Sequence, residues 1–93
     1  MLLGKNVRVG RLELDLIARR GSLIVIVEVR ARRSDAFMTP AESLDRRKLE
    51  RIRHAASLWL ASSGLRGVDV RLDVAAVVYD RAAPRLEYYE DAF

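Results

Sequence analysis

The sequence predicts an α/β domain in which a mixed β-sheet is flanked by a helix. Three observations carry that expectation. Apolar and polar residues alternate from Arg11 to Arg19, the segment Leu23–Arg30 is β-branched and apolar up to Glu28, and apolar residues from Leu49 to Leu60 recur at helical spacing. Period two marks a half-buried strand, a run apolar on both faces marks an interior strand, and a period near 3.6 marks an amphipathic helix.

Taken in order, Leu12, Leu14, Leu16 and Ala18 are expected to point one way from the first strand, and Glu13, Asp15 and Ile17 the other. Arg20-Gly21-Ser22 reads as a tight turn, with glycine available for positive φ, so the first two strands form a hairpin. Residues 31–38 are polar and basic, a connection. Thr39-Pro40-Ala41-Glu42 reads as a helix start, with threonine as cap, proline at the first position and glutamate three residues on; Asp45 offers a second start. Leu49, Ile52, Ala56, Trp59 and Leu60 line one face of the helix, and Gly64 closes it after Ser62-Ser63. Val68 to Tyr79 reads as another strand, Ala82-Ala83-Pro84 breaks the chain, and Arg85 to Tyr89 forms an edge strand. The order is two or three strands, a helix, then one or two strands.

The chain has 93 residues, enough for one domain with one core, taken as residues 1–93. No cysteine is present, which excludes a disulfide framework, a thiolate zinc site and a cysteine nucleophile. Met1-Leu2-Leu3-Gly4 is too short for a signal sequence, and no apolar run reaches the roughly 18 residues of a membrane span, so a cytoplasmic location and no membrane partner are expected. The net charge of +4, rich in arginine, permits a polyanionic partner without requiring one.

The chemistry turns on register. A two-residue turn at Arg20-Gly21 pairs Glu13 with Glu28, and one at Gly21-Ser22 pairs Asp15 with Glu28. Either way Glu13, Asp15, Glu28 and Arg30 are expected on one face, and Leu12, Leu14, Leu16, Val25, Val27 and Val29 on the other. Carboxylates packed side by side repel unless something compensates. Arg30 offsets part of that repulsion; a hard divalent cation, Mg²⁺ or Mn²⁺, would offset more. Such an ion lowers the pKa of its water and neutralises charge on a phosphate, which is what phosphodiester hydrolysis needs.

Asn6-Val7-Arg8, Glu13-Leu14-Asp15-Leu16-Ile17-Ala18 and Val27-Glu28-Val29-Arg30 resemble the YraN family of bacterial proteins. The resemblance continues through Phe37, Pro40-Ala41-Glu42, Lys48, Arg71-Leu72-Asp73-Val74 and Asp91-Ala92-Phe93, nearly the whole chain. That family is similar to Holliday-junction resolvases within the PD-(D/E)XK superfamily. The resemblance therefore implies a restriction-endonuclease-like fold and a metal-dependent endonuclease acting on DNA, branched DNA included. By it, Asp15 and Glu28 are metal ligands, Glu13 is an accessory ligand, and Arg30 takes the position that active nucleases usually give to lysine. Arg32, Arg33, Arg47, Lys48 and Arg51 are expected to hold the nucleic-acid backbone, with Lys48 a candidate substitute ammonium if its side chain reaches the acids.

Two departures bear on activity. Arginine stabilises charge but does not act readily as a base, since its pKa exceeds about 12. The family also begins with a helix bearing a Gly-x-x-Gly-Glu motif, and nothing here corresponds to it. An N-terminal helix is thus expected to be missing, one sheet face to lack cover, and a homodimer to be the oligomer to test for. An inactive nucleic-acid-binding or protein-interaction module that kept the fold is the rival reading. From spacing alone, Asp15, Glu28 and Arg30 fit a salt-bridge network on a solvated sheet face equally well. The arginines and His54 on the helix likewise fit a solvated face, and Trp59 and Phe37 fit core packing. Asp73 is expected to accept hydrogen bonds or pair with Arg71.

Overall fold

The computed structural model describes residues 1–33, 46–79 and 83–92, without the side chains of Arg32 and Arg46. The proposed helix start at Thr39–Glu42, the cap at Asp45, Phe37 and Phe93 lie outside the described residues. Those described form strands β1 (Leu2–Val9), β2 (Leu12–Arg20) and β3 (Leu23–Arg33), helix α1 (Arg46–Ser63), and strands β4 (Asp69–Tyr79) and β5 (Arg85–Tyr89). The five strands make one sheet in the order β1-β2-β3-β4-β5. Only β3 and β4 are parallel; β1–β2, β2–β3 and β4–β5 are antiparallel. The sheet is therefore mixed, with a helix between its two parallel strands in sequence.

Both hairpin turns have the same chemistry. Val9 pairs with Leu12 around Gly10-Arg11, and Arg20 pairs with Leu23 around Gly21-Ser22. Gly10 has φ +61° and Gly21 φ +59°, while the residue after each stays at negative φ. Positive φ at the first central position alone is the type II′ pattern, whose twist suits a right-twisted hairpin. Of the two alternative turns, Gly21-Ser22 is the one formed, and its register is the one that sets Asp15 against Glu28. Strand β1 makes the count before the helix three, the upper of the two numbers expected, on residues to which the alternation assigned no strand.

Helix α1 covers one face of the sheet through Ile52, Ala55 and Ala56, which pack with Leu14, Ile17, Ile24 and Ile26; Trp59, Leu12, Val7 and Leu72 complete this core. The helix ends where expected. Gly64 takes φ +78°, and the hydroxyls of Ser62 and Ser63 donate back to the carbonyls of Trp59 and Leu60 at 2.9 and 2.7 Å. On the other face Val25, Val27 and Ala75 form a second cluster with Leu16 and Leu23.

Membership of these two clusters corrects the expected alternation of β2. Leu14 and Ile17 are three residues apart, yet both are buried under the helix, while Leu16 belongs to the opposite face. Period two cannot give that, so the alternation breaks between Leu14 and Leu16, opposite Asn6 at φ +52°, while the pairing of β1 with β2 keeps its register from Lys5–Leu16 to Val7–Leu14. Leu12 and Leu14 consequently face the helix with Ile17, instead of joining Leu16, Val25 and Val27. Glu13 lies exposed between them and is turned to the far face, away from Asp15.

Asp73 fastens the other side of the sheet. It is fully buried, and its two carboxylate oxygens accept four hydrogen bonds. Arg71 donates from Nε and Nη2 at 2.9 Å each, the Tyr88 hydroxyl donates at 2.5 Å, and the Asp91 amide donates at 2.8 Å. The expected Arg71–Asp73 pair is thus present, and it ties β5 and the residues after it to β4. Burial raises the Asp73 pKa, but the bonds from Arg71, Tyr88 and Asp91 together outweigh it and hold the carboxyl below the usual range. Burial and the bond to Asp73 push the Tyr88 hydroxyl up to about 12.

Candidate functional site

The hairpin ladder between β2 and β3 runs from Arg20–Leu23 as far as Leu16–Val27. Beyond that point the amide of Val29 donates to Oδ2 of Asp15 at 2.8 Å. A side-chain carboxylate thus takes the amide just past the end of the backbone ladder, beside the point where β2 changes face. The same bond fixes the Asp15 carboxylate against β3, beside Glu28.

Glu28 sits on β3, 9% exposed, with Ile24 and Ile26 on the same helix-covered face. It is therefore not part of a salt-bridge network on a solvated face. Lys48, in the first turn of α1, reaches it: Nζ lies 3.7 Å from Glu28 Oε1. The side chain is long enough because α1 lies directly over this face. Burial raises the Glu28 pKa first; the negative charge of Asp15 and a hydrogen bond between the two acids add to it. Lys48 and Arg30 pull it down and offset only part. The result is a carboxyl held above its ordinary range by its neighbours.

The residues singled out by sequence therefore divide. Asp15, Glu28, Arg30 and Lys48 are brought together. Glu13, exposed on β2 between Leu12 and Leu14, is not among them. Arg33, Arg47 and Arg51 are exposed, Arg33 at the end of β3 and the other two on α1. The Arg32 side chain lies outside the described residues. Lys48 is an ion-pair partner of Glu28, which meets the condition on which it was a candidate substitute ammonium.

The sign of the Glu28 shift gives a measurable expectation for the metal-free protein. An acid whose pKa is higher folded than unfolded binds protons more tightly when folded. Stability then falls as pH rises through the window between the two values, and stays lowered above it. Glu28→Gln removes the ionisation. In EDTA it is expected to be more stable than wild type at pH 8, with the difference shrinking towards zero near pH 4. Urea denaturation at both pH values checks this; a destabilised variant at pH 8 would show that the Lys48 and Arg30 attractions win.

Residues 1–77 match the model of the uncharacterised protein family UPF0102. A UPF0102 protein of Moorella thermoacetica is 46% identical over 80 residues, covering 86% of this chain and 67% of the relative. One of Beutenbergia cavernae is 48% identical over 77 residues, covering 82% and 65%. One of an Anaeromyxobacter species is 39% identical over 92 residues, covering 99% and 69%. The chain thus spans about two thirds of the length of each of these relatives.

Proposed function

The chain belongs to the uncharacterised protein family UPF0102, and on that footing we propose that it is a restriction-endonuclease-like, metal-dependent nuclease domain acting on DNA. The observation that carries this reading is the convergence of Asp15 and Glu28, with a cationic Lys48 Nζ 3.7 Å from the second acid.

The pair suits a hard divalent ion on its own chemistry. Two acids close enough to hydrogen-bond are driven to share a proton, and Mg²⁺ or Mn²⁺ relieves the same repulsion better than a proton does. Glu28 and the Asp15 oxygen not given to Val29 would hold it, leaving other positions to water and phosphate. Among the described residues no group of three acids or histidines gathers, and Asp15 and Glu28 are the two carboxylates they would contribute. A bound ion would supply an acidified water and charge neutralisation at the phosphate. The chain's own cations do the rest: Arg30 and Lys48 lie beside the acids, where negative charge on a phosphate would build. Arg33, Arg47 and Arg51, all exposed, would meet the flanking backbone.

One observation supports the rival, a binding module without cleavage. Arg30 stands where a titratable lysine would act, and a guanidinium gives up its proton too reluctantly. The two readings part in a cleavage assay with Mn²⁺ on duplex, single-stranded and four-way-junction DNA. Cleavage that needs the metal supports the enzyme. Binding without cleavage, with affinity falling steeply as salt rises, supports the module, because neutralised phosphates release counterions. Binding that ignores salt, or no binding, would exclude nucleic acid altogether.

A further inference from the structure

A second feature lies on the helix-covered side of the sheet. The turn Gly10-Arg11 and the flank of α1 enclose a cleft of about 530 Å³, lined by Val9, Leu12, Ala55 and Leu58 on its apolar side and by Arg11, Arg51 and His54 on its polar side. Among the described residues no carboxylate is on its lining. We propose that this cleft is a subsite for one unpaired nucleotide of a nucleic-acid strand, base against the apolar wall and phosphate between the two guanidiniums.

The lining selects for that ligand class. A cleft of this size falls within the range of about 300–1,000 Å³ that takes small organic ligands. Two arginines and no acid call for an anion, and the planar guanidinium fork fits phosphate oxygens. Inorganic phosphate alone would leave the apolar wall unused, and Leu58 stands 49% exposed there. A duplex presents phosphates but hides the faces of its bases. An unpaired nucleotide offers both at once, and an imidazole such as that of His54 is one of the rings on which splayed bases stack.

The two arginines of the cleft also stand close to the acidic pair along their own elements. Arg51 follows Lys48 by three positions on α1, so the two side chains are neighbours on the helix surface. Arg11 precedes Asp15 by four residues, about 13 Å at strand rise. A strand whose phosphate lies at Glu28 and Lys48 therefore runs on towards Arg51 within a few nucleotides. The inference rests on the nucleic-acid reading above and adds to it a preference for a single-stranded flank.

Its test uses no divalent metal, so it stands apart from cleavage. In EDTA, fluorescence anisotropy compares a labelled oligothymidylate with a duplex of equal length, for the wild type, Arg11→Ala with Arg51→Ala, and Leu58→Glu. Circular dichroism melting confirms that each variant folds, which is expected because all three positions line an open cleft. The expected result is a loss of about tenfold or more in single-strand affinity for both variants, with duplex affinity unchanged within about twofold for Leu58→Glu and lowered for the arginine pair by clearly less than single-strand affinity, since Arg51 also serves the backbone. The salt slope of the arginine variant should fall by roughly 0.7 for each phosphate it no longer neutralises. Thymidine monophosphate should displace the oligonucleotide and inorganic phosphate should do so far less well. Equal losses on duplex and single strand would reduce the arginines to a general basic surface and overturn the subsite. So would unaltered binding by both variants, no single-strand binding by the wild type, or equal displacement by phosphate and nucleotide. Cleavage that fails while this pattern holds would sink the enzyme and spare the cleft.

Discussion

Asp73→Ala is expected to lower the unfolding free energy by on the order of 3 kcal/mol, enough to leave a small domain largely unfolded at modest urea. The size follows from what the substitution abandons. Both oxygens of a fully buried carboxylate are saturated by Arg71, the Tyr88 hydroxyl and the Asp91 amide. Removing the acceptor strands a guanidinium and a hydroxyl that were placed to meet it, and stranded donors cost more than the bonds themselves contributed. Tyr88→Phe deletes one donor and leaves the acid with three, so it should cost about 1 kcal/mol. The acid limb carries a second signature. The folded pKa of Asp73 lies below its unfolded value, so the stabilisation is complete above the ordinary carboxylate range and is lost as pH falls through the folded pKa. Urea melts from pH 7 down to pH 2 should therefore show wild type converging on Asp73→Asn at the acid end. Parallel curves for the two proteins would mean that the carboxylate's charge is not what the network stabilises.

Asp15→Ala is expected to remove metal-dependent cleavage to below about one thousandth of wild type, and with it the heat of Mn²⁺ binding, because a single remaining carboxylate is a weak ligand set. The alanine variant confounds two losses, however, since the Val29 amide also loses its acceptor. Asp15→Asn separates them. Its amide oxygen still accepts from Val29, so stability should stay within about 1 kcal/mol of wild type, while the charge that would hold a divalent ion is gone. Calorimetry with Mn²⁺ and the cleavage assay, run on both variants, check the expectation. An asparagine variant that keeps full activity would place any metal elsewhere.

Much of this is legible in the residues alone. Gly21-Ser22 limits the hairpin to two registers, and both set Glu28 opposite an acid. The end of α1 can be read from Gly64, and β5 from the break at Pro84. Leu12 and Leu14 defeat the pattern for a physical reason: leucine is at home on either face of a sheet buried on both, so a change of face between Leu14 and Leu16 leaves no mark in the hydrophobic alternation. Glu13 goes with them, since its side is inferred from theirs. The reach of Lys48 to Glu28 is beyond sequence, because it depends on how α1 lies across the strands, a matter of packing and not of periodicity. Asp73 can be recognised as a hydrogen-bond acceptor, but two of its four donors come from Tyr88 and Asp91, far along the chain and past a break.

The bond from Val29 to Asp15 makes the two acids mechanically unequal. Asp15 is bolted to the main chain of the neighbouring strand, whereas Glu28 hangs on one more rotatable carbon. A clamp built this way has one fixed jaw and one sliding jaw. Whatever occupies it, proton or cation, finds its position dictated from the Asp15 side, and differences in size are taken up by Glu28.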